Sequence, residues 1–137
     1  MTVKIIDASV AIKWFIAGEN GKEEALRILD AIKESPRDFA VPELFFNEIL
    51  SVFCRLLDSP QEIHGYMEII QELGFMRLGN GRECLATAVE IAKKYNLRGY
   101  DAVYAANARL VDGLWLTADK KAHQKISSLN ISKCLDF

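Results

Sequence analysis

Val3-Lys4-Ile5-Ile6-Asp7-Ala8-Ser9 decides the fold: an apolar run of strand length stops on a carboxylate, and Leu114-Trp115-Leu116-Thr117-Ala118-Asp119 repeats the pattern near the other end of the chain. Phe39-Ala40-Val41, Phe75-Met76-Arg77-Leu78 and Ser132 to Leu135 are also strand-length, and stretches of helical period separate all five runs. The clearest helix is Pro60 to Leu73. Its apolar set Ile63, Tyr66, Met67 and Ile70 keeps one face, Ser59 and Glu62 form a capping box, Pro60 suits the first turn and Gly74 ends it. Similar faces occur at Ala25, Ile28, Leu29 and Ile32, and at Leu85, Ala88, Val89 and Ala92. Gly18 to Gly21, Ser35-Pro36, Gly79 to Gly81 and Asp112-Gly113 punctuate the chain.

Strands joined by helical crossovers must be mainly parallel, and right-handed crossovers put helices on both faces of the sheet. The expected fold is therefore a three-layer α/β/α sandwich. With no repeat, linker or low-complexity tract, residues 1–137 read as one domain. The 137 residues are 50% hydrophobic and 26% charged with only 8 Gly and 3 Pro, which suits a chain with a buried core and not a disordered one. Lys4, Asp7 and Lys13 interrupt the apolar start, against both a signal peptide and a membrane span, so a soluble cytoplasmic protein is expected. Cys54, Cys84 and Cys134 are odd in number and far apart, and read as reduced, small buried residues rather than a disulfide framework or a zinc site. The net charge of −2 gives no basic footprint for nucleic acid.

Ligands of open parallel sheets sit beyond the carboxyl ends of strands, where chain order reverses. Asp7 and Asp119 follow two such ends. Each is equally an ordinary helix N-cap, and Asp101, opening the small-residue stretch Tyr100 to Ala108, suits the positive end of a helix dipole. Glu48 is harder to assign to the surface. In a helix from Glu43 to Leu57 with its stripe at Phe45, Ile49, Val52, Phe53 and Leu56, it lies only ~80° from the centre of the buried face, where a lysine partner is the plain alternative. If Asp7, Glu48, Asp101 and Asp119 converge, four carboxylates would repel one another unless a cation held them ionised, and an all-oxygen donor set selects Mg²⁺ or Mn²⁺.

The motifs Asp7-Ala8-Ser9-Val10-Ala11-Ile12-Lys13-Trp14-Phe15, Asn47-Glu48, Tyr100-Asp101-Ala102-Val103-Tyr104 and Leu116-Thr117-Ala118-Asp119 resemble the PIN domain, specifically the VapC-type toxins of VapBC toxin–antitoxin pairs. The resemblance runs nearly end to end. It implies a five-stranded sheet of order 3-2-1-4-5 and an Mg²⁺- or Mn²⁺-dependent endoribonuclease in which the acids matching Asp7, Glu48, Asp101 and Asp119 hold the metal. It also implies a homodimer and a small VapB-like antitoxin that covers the acidic site and supplies DNA binding. Some relatives carry a further acid soon after the position of Asp119; Lys120, Lys121, Ala122 and His123 stand here, so the resemblance leaves open whether one metal or two are held.

On this reading Asp7 and Asp101 are direct ligands, Asp119 is a direct or water-mediated one, and Glu48 binds through water or orients the attacking water, with Ser9 and Thr117 supporting them. Without the four site acids the rest of the chain carries +2 (from −2, less four negative charges), which partly accounts for the acidic balance. Lys13, Arg98, Lys120 and Lys121 read more readily as solvated charges than as phosphate contacts, and Tyr100 and Tyr104 more readily as packing than as base-stacking residues. His64 and His123 do not suit a paired-histidine mechanism. The alternatives are an RNA-processing PIN nuclease outside a toxin pair, a catalytically silent PIN-like module, and a phospho-accepting receiver, which normally pairs two acids after its first strand where Asp7 stands alone.

Overall fold

The computed structural model describes residues 2–18 and 20–135, so residue 19 of the Gly18 to Gly21 punctuation lies outside the described residues. Five strands, β1 (Lys4–Ile6), β2 (Phe39–Pro42), β3 (Met76–Leu78), β4 (Leu114–Thr117) and β5 (Ser132–Cys134), form one sheet of order β3-β2-β1-β4-β5. Every pairing is parallel, and β1 lies in register with β4 through Ile5 opposite Trp115 and Ile6 opposite Leu116. Between the strands run α1 (Ala8–Phe15), α2 (Lys22–Glu34), α3 (Leu44–Leu56), α4 (Pro60–Gln71), α5 (Arg82–Tyr95), α6 (Gly99–Leu110) and α7 (Lys120–Ile126). The crossover rule assigns α1 to α4 to one face and α5 to α7 to the other; α1 packs on α2 and α3, and α5 on α6, as that requires. No helix among the described residues is long and apolar enough to cross a membrane.

The chain leaves β1 in one direction to β2 and β3 and returns to the other side for β4 and β5, so β1 and β4 flank the switch point. Beneath it lies the core, with Ile5, Ile6, Phe45, Ile49, Phe53, Tyr104 and Trp115 fully enclosed. The β1–β4 contact needs a residue without a side chain at Gly113, because a Cβ there would stand 2.5 Å from the Val3 carbonyl oxygen. That oxygen accepts the Leu114 N–H at 2.9 Å, the bond that starts β4 along β1. α4 begins as its sequence indicates: Ser59 Oγ accepts the Glu62 N–H at 3.2 Å, Pro60 is in the first turn, and Gly74 takes φ +84°.

Four expectations need correction. α5 buries Cys84, Ala88 and Ile91, while Leu85 and Val89 are exposed. Rows 84-88-91 and 85-88-92 share Ala88, and the close packing of α5 on α6, where Cys84 Sγ approaches Asn107 Oδ1 at 3.7 Å, favours the first. Leu56, at the last turn of α3, is likewise outside the core. Cys54 is exposed and Cys134 only half-buried, so Cys84 alone of the three fits the buried reading; all three are free thiols. Lys13 is buried on α1, not solvated, because the helix turns that position toward its neighbours.

Candidate active site at the sheet switch point

Asp7 leaves β1 in an extended conformation and caps α1. Its Oδ2 accepts the Ser9 N–H at 2.9 Å, its Oδ1 accepts the indole N–H of Trp115 at 3.0 Å, and its own N–H donates to Leu116 O at 3.0 Å. Those donors favour the ionised form, yet burial outweighs them and, with a smaller contribution from the nearby Asp101, lifts the Asp7 carboxyl from 3.8 to about 6. Trp115 was absent from the sequence reading of the site. The available signal was a tryptophan inside a buried strand beside β1, since an enclosed indole N–H nearly always finds an acceptor.

Glu48 projects from α3 at the edge of the buried face, as its helical position requires, but its partner is Tyr104 rather than a lysine. The Tyr104 hydroxyl accepts the Ala8 N–H at 3.3 Å and faces the Glu48 carboxylate, whose ionised form it favours. Glu48 Oε1 is buried without any hydrogen-bond partner among the described residues. Burial lifts the Glu48 carboxyl to about 7, with Asp7 and Asp101 adding repulsion and the Tyr104 bond and Arg98 acting against it. Tyr104 is enclosed, as the packing reading expects, and its ring stacks on Trp115 at 5.6 Å and 13°. One stacked pair in the core thus bonds its indole N–H to Asp7 and sets its hydroxyl beside Glu48.

Asp101 occupies the first turn of α6, with Arg98 Nε 3.9 Å from its Oδ2. Its carboxyl is raised by burial and then by Asp119, against the attraction of Arg98 and Lys125. Asp119 caps α7, its Oδ1 accepting the Ala122 N–H at 3.1 Å. Two hydroxyls fix the turn that carries it: Thr117 Oγ1 accepts the Asp119 N–H and Ser9 Oγ accepts the Ala118 N–H, both at 3.0 Å. Ser9 and Thr117 therefore act on backbone, tying the start of α1 to the end of β4.

The mutual fields of Asp7 with Asp101, Glu48 with both, and Asp101 with Asp119 join the four acids at one end of the sheet. Asp7 and Asp119 are indeed N-caps, and a cap does not exclude a ligand role: each carboxylate oxygen has two lone pairs and a cap occupies only one. Among the described residues no group of three or more His, Cys, Asp or Glu is arranged, as the side chains stand, to hold a metal ion. The donor set nevertheless fits a hard divalent cation: it is all oxygen, neighbouring charges help raise the carboxyls of Asp7, Glu48 and Asp101, and Glu48 Oε1 lacks a partner among the described residues. Of the cations near the motifs, Arg98, Lys120 and Lys121 are exposed. Tyr100 departs from the packing expectation: at 69% exposure it is a surface ring.

The family model described as PIN domain matches residues 4–127. Among solved structures, a chain of a toxin–antitoxin complex from Klebsiella pneumoniae superposes with a TM-score of 0.70 at 18% identity, over 95% of each chain. FitAcB from Neisseria gonorrhoeae gives a TM-score of 0.71 at 18% identity, over 91% of this chain and 94% of that one. PAE2754 from Pyrobaculum aerophilum gives 0.65 at 20% identity, over 90% and 84%. At these identities the likeness is one of fold. Among curated proteins there is no match.

Proposed function

Because this chain belongs to the PIN domain family, whose model spans residues 4–127, we propose that it is an Mg²⁺- or Mn²⁺-dependent endoribonuclease acting at the Asp7, Glu48, Asp101 and Asp119 cluster. The observation that carries the reading is the convergence of these acids at the switch point, where burial and mutual repulsion raise the carboxyls of Asp7, Glu48 and Asp101. Asp7, Asp101 and Asp119 would hold the ion, with Glu48 beside them. When bound, the ion supplies a lowered pKa for water and neutralises charge on phosphate oxygens.

The chain's own groups do the rest. Trp115 and the Ser9 N–H hold the Asp7 carboxylate in one orientation, and Thr117 and Ser9 fix the turn bearing Asp119. Glu48, with an unpartnered Oε1 and a pKa of about 7, suits orienting the attacking water and accepting its proton. Attack by water leaves a 5'-phosphate and does not use the 2'-hydroxyl.

The biological setting proposed is the toxin of a type II pair, homodimeric, cytoplasmic, held by a small VapB-like antitoxin and reaching DNA only through it. Its support is the motif resemblance to VapC-type toxins and the shape shared with the Klebsiella toxin–antitoxin chain. A catalytically silent PIN module is the second reading, favoured by the use of both Asp7 oxygens in local hydrogen bonds. Incubating the purified protein with single-stranded RNA in Mn²⁺ and in EDTA, and mapping the new ends, decides between them. Cleavage confined to Mn²⁺, with 5'-phosphate ends and lost in Asp101→Asn, is expected. A 2',3'-cyclic phosphate end or undiminished cutting in EDTA refutes the metal mechanism, and no cleavage by a folded protein supports the silent module.

A further inference from the structure

α3 has a second face. Phe45, Ile49 and Phe53 enter the core, whereas Leu44, Asn47, Glu48, Ser51 and Val52 recur at the i, i+3, i+4, i+7, i+8 spacing of a different stripe. That stripe forms one wall of a cleft enclosing about 460 Å³, and Tyr100, from the first turn of α6, lines it too. Leu44 and Val52 give it an apolar lining, Asn47 and Ser51 add an amide and a hydroxyl, and Tyr100 adds an aromatic ring 69% exposed. A tyrosine left this open on a helix beside an apolar wall is unused stacking surface.

Glu48 lines this cleft and also belongs to the acid cluster, so the cleft opens directly onto the proposed site of hydrolysis. We infer that it receives one unstacked nucleobase of single-stranded RNA, stacked on the Tyr100 ring, with the Asn47 amide and Ser51 hydroxyl reading the base's polar edge. The inference deepens the nuclease reading and rests on it. Size and chemistry agree. The volume lies in the lower half of the roughly 300 to 1,000 Å³ typical of small-ligand pockets, and recognition of unpaired RNA bases generally combines an aromatic platform with hydrogen bonds to the base edge. A protein segment would find the same ring and apolar wall, but neither the adjoining acid cluster nor the Asn47 and Ser51 pair is needed to hold one.

Neutral nucleosides test this without metal, phosphate or catalysis. Adenosine, guanosine, cytidine and uridine would be titrated into the full chain in EDTA, following Tyr100 ring and Asn47 carboxamide resonances by NMR. Saturable shifts at both residues are expected, strongest for one of the four. Tyr100→Ala should weaken that binding roughly 5- to 150-fold, the range of base stacking on an aromatic ring. Tyr100→Phe should keep it, and Asn47→Ala should level the ranking of the four, each variant being checked for an unchanged amide spectrum elsewhere. No shift at these residues up to the solubility limit, or wild-type binding in Tyr100→Ala, overturns the inference. So does a change of oligomeric state in Tyr100→Ala without nucleoside binding, which would make the cleft an interface between copies. Nucleoside binding through Tyr100 in a protein that cuts no RNA would retain the base site and remove the nuclease reading, so the two can fail separately.

Discussion

Asparagine at position 7 separates the two jobs of the aspartate. It keeps an acceptor for the Ser9 N–H, cannot ionise, and turns an amide N–H toward the Trp115 indole N–H that the carboxylate accepts at 3.0 Å. In the metal-free wild type the Asp7 carboxyl titrates near 6 instead of 3.8, so the folded state binds its proton more tightly than the unfolded chain. Its contribution to stability is therefore fully present below the unfolded pKa and is lost as pH rises through the folded one. A rise from 3.8 to about 6 makes that loss ~3 kcal/mol between acid and neutral pH. Asp7→Asn escapes the loss but carries a pH-independent cost of ~1–3 kcal/mol for opposed donors at Trp115. The variant should be the less stable protein near pH 4 and should equal or exceed wild type near pH 8. Urea unfolding in EDTA across that range, with m-values compared, measures the difference. Repeating it at about 100 times the Mn²⁺ dissociation constant should add ~2.7 kcal/mol to wild type and little to the variant. A variant-minus-wild-type difference constant with pH would refute the buried, destabilised carboxylate. An undiminished Mn²⁺ increment would remove Asp7 from the metal site.

Trp115→Phe should preserve stacking on Tyr104 while deleting the donor to Asp7 Oδ1, pushing the Asp7 pKa above its value of about 6. The acidic limb of the pH–rate profile should move to higher pH, and an unmoved limb would dismiss the indole as a positioning group. Glu48→Gln should retain an acceptor for the Tyr104 hydroxyl, relieve repulsion with Asp7 and Asp101, and raise the melting temperature in EDTA at pH 8 while cleavage falls to a trace. A lower melting temperature would show that the charge at 48 is not under strain. Gly113→Ala should lose ~1–3 kcal/mol in chemical denaturation, because its Cβ would meet the Val3 carbonyl oxygen at 2.5 Å. Stability equal to wild type would mean that β1 and β4 separate at no cost.

The strands were legible because apolar runs of strand length between Gly, Pro and Asp punctuation have few other uses, and their parallel pairing follows from the helices between them. Strand order came only with the motif resemblance, since periodicity does not say which strands touch. Asp7 and Asp119 were legible as acids after strands, and Glu48 as an acid at the edge of an apolar stripe. What the sequence hid was chosen by tertiary partners. The α5 face depended on which of two rows met α6, the openness of Tyr100 on the second stripe of α3, and the part played by Trp115 on the register that sets it opposite Ile5. Local pattern narrows such choices to two or three and packing makes the selection.

The stacked Tyr104 and Trp115 rings give the acid cluster an optical readout. The chain has two tryptophans, and they report on different places: Trp14 donates its indole N–H to the Ala25 carbonyl at 2.8 Å, a neutral acceptor, whereas Trp115 donates to a carboxylate that gains and loses charge near pH 6. Indole emission responds to charge beside the ring nitrogen, so ionisation of Asp7 and the arrival of a cation should each shift the Trp115 component and leave that of Trp14 as an internal reference. Occupancy of the site can then be followed in real time in the unlabelled protein, including during the capture or release of whatever covers it.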